Sequence, residues 1–252
     1  MTKRQVKPDD AASEQSCRVA CSACGMGKVC IPAGLSREDM LEFEKIVHKS
    51  KPLHRGEFVY RRGDPLHSVA AVRSGCFKSY VIDEGGNEHV LGFHFPGELL
   101  GLDAIYTKKH VCDVVALDTS CLCRLPYTDV TKLAARMPDL QTQLFRTMSQ
   151  RIGDLNTVAS DFTADQRMAA FLLTLSVRFK LRGYSERSFN LAMSRRDVGN
   201  YLRMAQETVS RVLARFQDQG LIRINRRLVE ILEHDDLHLL AGSAFCDSQN
   251  RI

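Results

Sequence analysis

Turn signals recur so often between residues 53 and 130 that no long element fits there. Arg62-Gly63-Asp64-Pro65, Ser74-Gly75, Gly85-Gly86-Asn87 and Pro96-Gly97 each break the chain. The segments between turns are Glu57–Tyr60, Ser68–Arg73, Cys76–Ile82, Glu88–Phe95, Val111–Leu117 and Ser120–Leu125. They are short, as strands are. Many short strands at regular spacing predict a sandwich or jelly-roll barrel. From Pro138 the texture turns helical. Leu140, Leu144, Met148, Ile152, Leu155, Ala159 and Phe162 form a narrow apolar stripe with polar residues on the other faces. Such a stripe suits the seam between two long helices, and so a homodimer. The alternative is a helix packed on its own domain. The fold class is therefore α+β: an N-terminal β jelly-roll barrel, a long dimerisation helix and a C-terminal winged helix-turn-helix.

The 252 residues allow one large or two modest domains, and 44% apolar with 26% charged residues supports a globular core. The expected plan is a disordered polar tail over 1–16, a cysteine loop over 17–32, the barrel over 33–137, the dimer helix over 138–162 and a C-terminal domain over 163–252. Ser36 and Asp39 open a short helix over 36–50, with Met40, Phe43, Ile46 and Val47 at helical spacing. The tail lacks the apolar segment of a secretory signal, and no apolar run reaches eighteen residues, so a cytoplasmic chain without a membrane span is expected. A net charge of +5 permits a nucleic-acid partner without demonstrating one.

A helix from about Ala164 to Leu181 stops at Arg182-Gly183. Ser194 and Asp197 then make a capping-box pattern that opens a helix through Met204. A second helix covers Gln206–Gln219 and ends at Gly220. Val209, Val212, Leu213 and Phe216 share its buried face. Glu207, Ser210 and Arg211 lie at i, i+3 and i+4 on the opposite face, near the helix start. In a helix-turn-helix those first residues reach base edges in the major groove, where arginine suits guanine and glutamate suits cytosine. Gln206 adds an amide able to bond adenine. Leu221–Ile224 and Leu228–Leu232, joined through Asn225-Arg226-Arg227, read as a basic wing suited to phosphate. The bland reading is a helical hairpin with solvated charges; the ordered set favours double-stranded DNA.

Nine cysteines are many for a chain with no export signal, and in a reducing compartment a cluster points to metal rather than to disulfides. Cys21-x2-Cys24-x5-Cys30 sits on a glycine-containing loop, with Cys17 four residues before. Three thiolates there can converge on one centre, and the barrel can give a fourth. Cys121 and Cys123 lie two apart on one strand, so alternation does not choose between them. Four thiolates suit zinc or an iron–sulfur cluster. Cys76, Cys112 and Cys246 read as small buried apolar residues. No catalytic triad, P-loop or dinucleotide fingerprint is present, so the chain is not read as an enzyme.

Cys21-x2-Cys24-x5-Cys30-Ile31-Pro32, Arg73-Ser74-Gly75-x-x-Lys78-Ser79-Tyr80, Gly92-Phe93-His94, Asp103-Ala104-Ile105, Gly199-Asn200-Tyr201-Leu202 and Glu207-Thr208-Val209-Ser210-Arg211 together resemble the oxygen-responsive FNR regulators of the cAMP receptor protein superfamily. The resemblance runs from about residue 17 to 242. It implies a 4Fe–4S cluster on Cys21, Cys24, Cys30 and Cys123, the last matched by Cys123-Arg124-Leu125-Pro126, with Cys17 outside the ligand set. It further implies base reading by Glu207, Ser210 and Arg211 at palindromic TTGAT half-sites, anaerobic gene control, and RNA polymerase as a partner near the Gly85-Gly86-Asn87 turn. Zinc without an oxygen response is the alternative. Cyclic AMP is not expected. Gly101-Leu102-Asp103 and His110-Val111-Cys112-Asp113-Val114 stand where its phosphate would bind, with no arginine to pair it and Asp113 to repel it. The chain departs from the family pattern at Arg203, where a turn glycine is usual, and at Ala205, where a capping Thr or Ser is usual.

Overall fold

The computed structural model describes residues 20–158 and 162–245. The 1–16 tail, Cys17, Ala159 and Cys246 lie outside the described residues, as does the side chain of Leu155. The chain divides into two compact units, Met1–Gly86 with Leu91–Met148, and Ser149–Ile252 with Asn87–Val90.

The first unit contains two four-stranded antiparallel sheets. One has the order β1 (His48–Lys49), β8 (Cys121–Pro126), β3 (Ser68–Ser74), β6 (Leu99–Leu100). The other runs β2 (Phe58–Tyr60), β7 (Asp113–Ala116), β4 (Phe77–Ile82), β5 (Glu88–His94). Side chains alternate across a strand, so the unbroken apolar run Val69-Ala70-Ala71-Val72 makes β3 apolar on both sides. Ala70 and Val72 join Val59, Phe77, Leu100, Val114 and Leu122 in a core drawn from both sheets. Val69 and Ala71 join Ile31, Phe43, Leu125, Val130, Leu133, Met137 and Leu140 in a second core. That second layer is built by α1 (Arg37–Lys45), α2 (Tyr127–Ala134) and the start of α3 (Pro138–Val158).

Three expectations need correction. The first helix ends at Lys45, because the chain turns at Ile46 to enter β1. Residues 127–134 form α2, burying Val130 and Leu133, whereas the sequence read strand texture up to residue 130. The apolar stripe of α3 is divided: Leu140 is fully buried and Leu144 packs beside it in the barrel's own second core, while Met148 and Ile152 are exposed. The packed-on-its-own-domain reading thus holds for the first two turns only. Phe145, off the expected stripe, is 62% exposed, and α3 is described over Pro138–Val158.

In the second unit α4 spans Ala164–Leu181, opened by a capping box between Thr163 and Gln166. A three-stranded sheet in the order β10 (Ile222–Asn225), β11 (Leu228–Ile231), β9 (Ser188–Asn190) takes β9 from before α5 (Arg195–Tyr201) and α6 (Gln206–Asp218) and the other two strands from after them. The final helix, α7 (His234–Ala241), packs on α4. Among the described residues, no helix is long and apolar enough to cross a membrane.

Candidate metal centre and nucleic-acid interface

Residues 20–35 fold into successive tight turns, with Cys24 N–H donating to Cys21 O (3.0 Å), Cys30 N–H to Met26 O (2.9 Å) and Ala33 N–H to Cys30 O (2.9 Å). Two contacts seat this loop on the first unit. The Ser22 N–H donates to Glu44 Oε1 of α1 at 2.6 Å, which holds the Glu44 carboxyl below its ordinary range. Gly97 lies so close to Val29 that an added Cβ would stand 2.7 Å from Val29 Cγ2. Only glycine allows that approach, and its φ of +90° suits glycine as well.

Cys21, Cys24 and Cys30 line one apolar-walled cavity with Cys123, Ile31, Phe43 and Arg73. The tie left by the sequence is broken by the pairing of β8. Cys123 stands opposite Ala71, on the side facing the second core. The register shifts between Val72 and Ser74, so Cys121, opposite Ser74, lies beyond the irregularity and off the cavity. Burial, then the neighbouring Cys123 thiol, pushes Cys21 up to about 11. The same two causes push Cys30 up to about 12. Burial also raises Cys123, opposed by the Arg73 guanidinium, which bonds to it. These thiols are protonated at neutral pH, and any metal must displace their protons. The cavity is small, about 30 Å³, room for about one water. Among the described residues, no group of three or more Cys, His, Asp or Glu is drawn together closely enough to hold a single metal ion. The four thiols share a cavity; they do not yet form a ligand cage. The donor chemistry, four sulfurs in an apolar pocket, fits thiolate-held zinc or an iron–sulfur cluster. Cys76 and Cys112 are buried apart from this cavity, 2% and 4% exposed, as expected of small apolar residues.

Inside the barrel, Asp103 accepts from Tyr60 Oη (3.3 Å), from the Val111 N–H (2.9 Å) and from Cys112 Sγ (3.6 Å). Its carboxylate lies 3.6 Å from His110 Nδ1, and the His110 ring stacks on Tyr60 at 3.5 Å. Asp113 accepts from the Arg62 N–H at 2.7 Å. The stretch the sequence compared with a phosphate site is thus occupied by acidic groups in the chain's own hydrogen bonds.

In the second unit, Ser194 Oγ accepts from the Asp197 N–H (3.1 Å) and Asp197 accepts from the Ser194 N–H (3.0 Å), the capping box expected at the start of α5. The helix stops at Tyr201 rather than Met204. Gly199 lets the two helices meet: a Cβ there would stand 2.7 Å from Met204 O and 3.2 Å from Val209 Cγ2. Val209, Val212, Leu213 and Phe216 are buried, while Gln206, Glu207, Ser210 and Arg211 are all exposed. Ala205 caps α6 without a side-chain bond, as its methyl dictates. Asn225 pairs with Leu228, leaving Arg226-Arg227 as the tip of the wing. The sequence missed β9, which joins the wing as a third strand, and Arg73 beside the thiols; Arg73 stood inside a motif singled out for resemblance alone.

Residues 50–137 match the cyclic nucleotide-binding domain family, and residues 166–240 match the Crp-like helix-turn-helix domain. The transcriptional activator protein anr of Pseudomonas aeruginosa is 44% identical over 88% of this chain and 92% of its own length. The fumarate nitrate reduction regulatory protein of Klebsiella oxytoca is 40% identical over 90% and 92%. The solved structure of FixK2 from Bradyrhizobium japonicum shares the fold, with a TM-score of 0.71 and 24% identity over 78% of this chain and 98% of that one. A barrel of this type joined to a Crp-like helix-turn-helix defines a DNA-binding transcription regulator rather than an enzyme. The chain belongs to the CRP/FNR family, on the branch that holds the FNR and Anr regulators.

Proposed function

We propose that this protein is a cytoplasmic, oxygen-responsive transcription activator that holds a 4Fe–4S cluster through Cys21, Cys24, Cys30 and Cys123. It acts as a homodimer, and Gln206, Glu207, Ser210 and Arg211 read palindromic TTGAT-type promoter sites. The observation that carries the reading is the meeting of Cys123 with three loop thiols about a hundred residues earlier, in one cavity. When bound, the cluster supplies an oxygen-labile crosslink between that loop and β8.

The chain's own residues supply the rest. Cys21, Cys30 and Cys123 pack against the same core as Phe43, Leu125 and Leu140. A change in the order of the loop therefore changes the packing beneath the first turns of α3. Further along that helix, Phe145 and Ile152 are each 62% exposed, an apolar face for a second copy. Pairing two chains presents two recognition helices to two half-sites, and linkage raises affinity by about 10²–10⁴. The exposed Gly85-Gly86-Asn87 turn is the surface offered to RNA polymerase. Asp103 and Asp113 argue against cyclic AMP, since each places a carboxylate where a phosphate would need a cation.

The test is an anaerobic preparation whose visible spectrum, iron, zinc and acid-labile sulfide are measured before and after air, alongside mass and operator binding. Iron and sulfide in equal amount, lost in air together with dimer and operator binding, support the reading. Zinc without sulfide, or operator binding indifferent to air, supports a zinc-stabilised regulator in its place.

A further inference from the structure

Three helices of the second unit end the same way. In α4 the Gly183 N–H donates to Lys180 O (2.9 Å) and the Tyr184 N–H to Phe179 O (3.0 Å). In α6 the Gly220 N–H donates to Gln217 O (2.9 Å) and the Leu221 N–H to Phe216 O (2.9 Å). In α5 the Arg203 N–H donates to Asn200 O (3.2 Å) and the Met204 N–H to Gly199 O (2.8 Å). This is the Schellman closure, whose C′ residue must take a left-handed backbone. Gly183 and Gly220 take it at φ +75° and +72°, and Arg203 at +54°. A side chain at such a φ carries steric strain that glycine does not incur.

The chain uses glycine at two of the three closures and arginine at the one that leads into the recognition helix. Arg203 gains nothing inside the molecule in return. Its side chain is exposed. None of the hydrogen bonds or ion pairs among the described residues involves it, whereas Arg215 is paired with Asp165 and Arg223 with Glu230. The same pattern recurs across the recognition helix. Arg226, at the tip of the wing, is the unit's other side chain on a left-handed backbone among the described residues (φ +56°), and it too is exposed.

We infer that Arg203 is a phosphate anchor: it grips the DNA backbone beside the first turn of α6, as the wing arginine does on the far side. Conformational strain in the free chain is accepted because the guanidinium is placed on the duplex. This contact is sequence-blind and sets the register of Gln206, Glu207, Ser210 and Arg211 over the base edges. The inference rests on the DNA-binding reading of α5 and α6.

The experiment compares full-length protein, anaerobically prepared, with its Arg203→Gly and Arg203→Lys variants, on an operator duplex and on a scrambled duplex over a salt series. Arg203→Gly should raise the melting temperature. It should weaken both duplexes about equally, by roughly tenfold, and flatten the salt slope by about 2 per dimer, one phosphate per protomer. Arg203→Lys should keep the slope without the gain in melting temperature. Wild-type affinity and slope in Arg203→Gly would overturn the anchor, as would a loss confined to the operator, which marks a base contact. Failure of the unaltered protein to bind the operator would instead defeat the DNA-binding reading itself.

Discussion

The side chains of Gln206, Glu207, Ser210 and Arg211 stand in solvent on a helix whose opposite face, Val209 to Phe216, is locked into a core. The thiols of Cys21, Cys30 and Cys123 are half-buried and repel one another's charged forms; the first two sit on the 20–35 loop and the third on β8. The reading surface is complete before its ligand arrives. The cysteine site, under the proposed function, would be completed by its ligand. A switch needs that asymmetry, because a site that assembles only when loaded can report loading, whereas a rigid site cannot.

The sharpest way to break the comparison is Cys123→Ser. Iron and sulfide in the anaerobic protein should fall to background, while Cys112→Ser, buried outside the cavity, should keep both. Full iron content in Cys123→Ser would remove the cavity from the argument. Next in size is Arg211→Ala, which touches only the finished surface. Operator affinity should fall by about 1–3 kcal/mol per lost contact, roughly 5- to 150-fold, with scrambled DNA and iron content little changed. Equal losses on both duplexes would show that Arg211 contacts backbone and not bases.

Gly199→Ala probes how the reading surface is held. Alanine improves helix propensity by about 1 kcal/mol, but the new methyl meets backbone at Met204 O, which an overpacked junction charges at about 1–3 kcal/mol. The clash should win, and calorimetry should show a lower melting transition for the second unit with iron content intact. The smallest effect is in pH. Cys112 is pushed up from 9.0 to about 12 by burial and then by Asp103. A raised thiol favours the folded state while it is protonated. Its contribution is therefore whole below pH 9 and fades as pH climbs toward 12. The metal-free protein should melt at a constant temperature between about pH 7 and 8.5 and progressively lower above 9, with a shallower decline in Cys112→Ala.

Much of the DNA-binding unit was legible in the sequence because its signals are local. The Ser194 capping pattern, the bounds of α4 and the four buried residues of α6 follow from spacing within a few turns. The first unit hid its details in long-range pairing. β1 and β6 have two residues each, too few for any period, and α2 was lost at the end of a run of strand-like residues. The choice between Cys121 and Cys123 was invisible to alternation because the irregularity lies at Arg73, on the neighbouring strand β3. Leu140 and Leu144 looked like an interface since a helix's own core and a partner ask for the same residue types.

The two-faced strand β3 has one more consequence. It separates the apolar layer touching the thiols from the layer between the sheets. If the proposed cluster is lost in air, the disturbance falls on the first of these layers, and the second would keep a scaffold that can be refilled instead of being made anew.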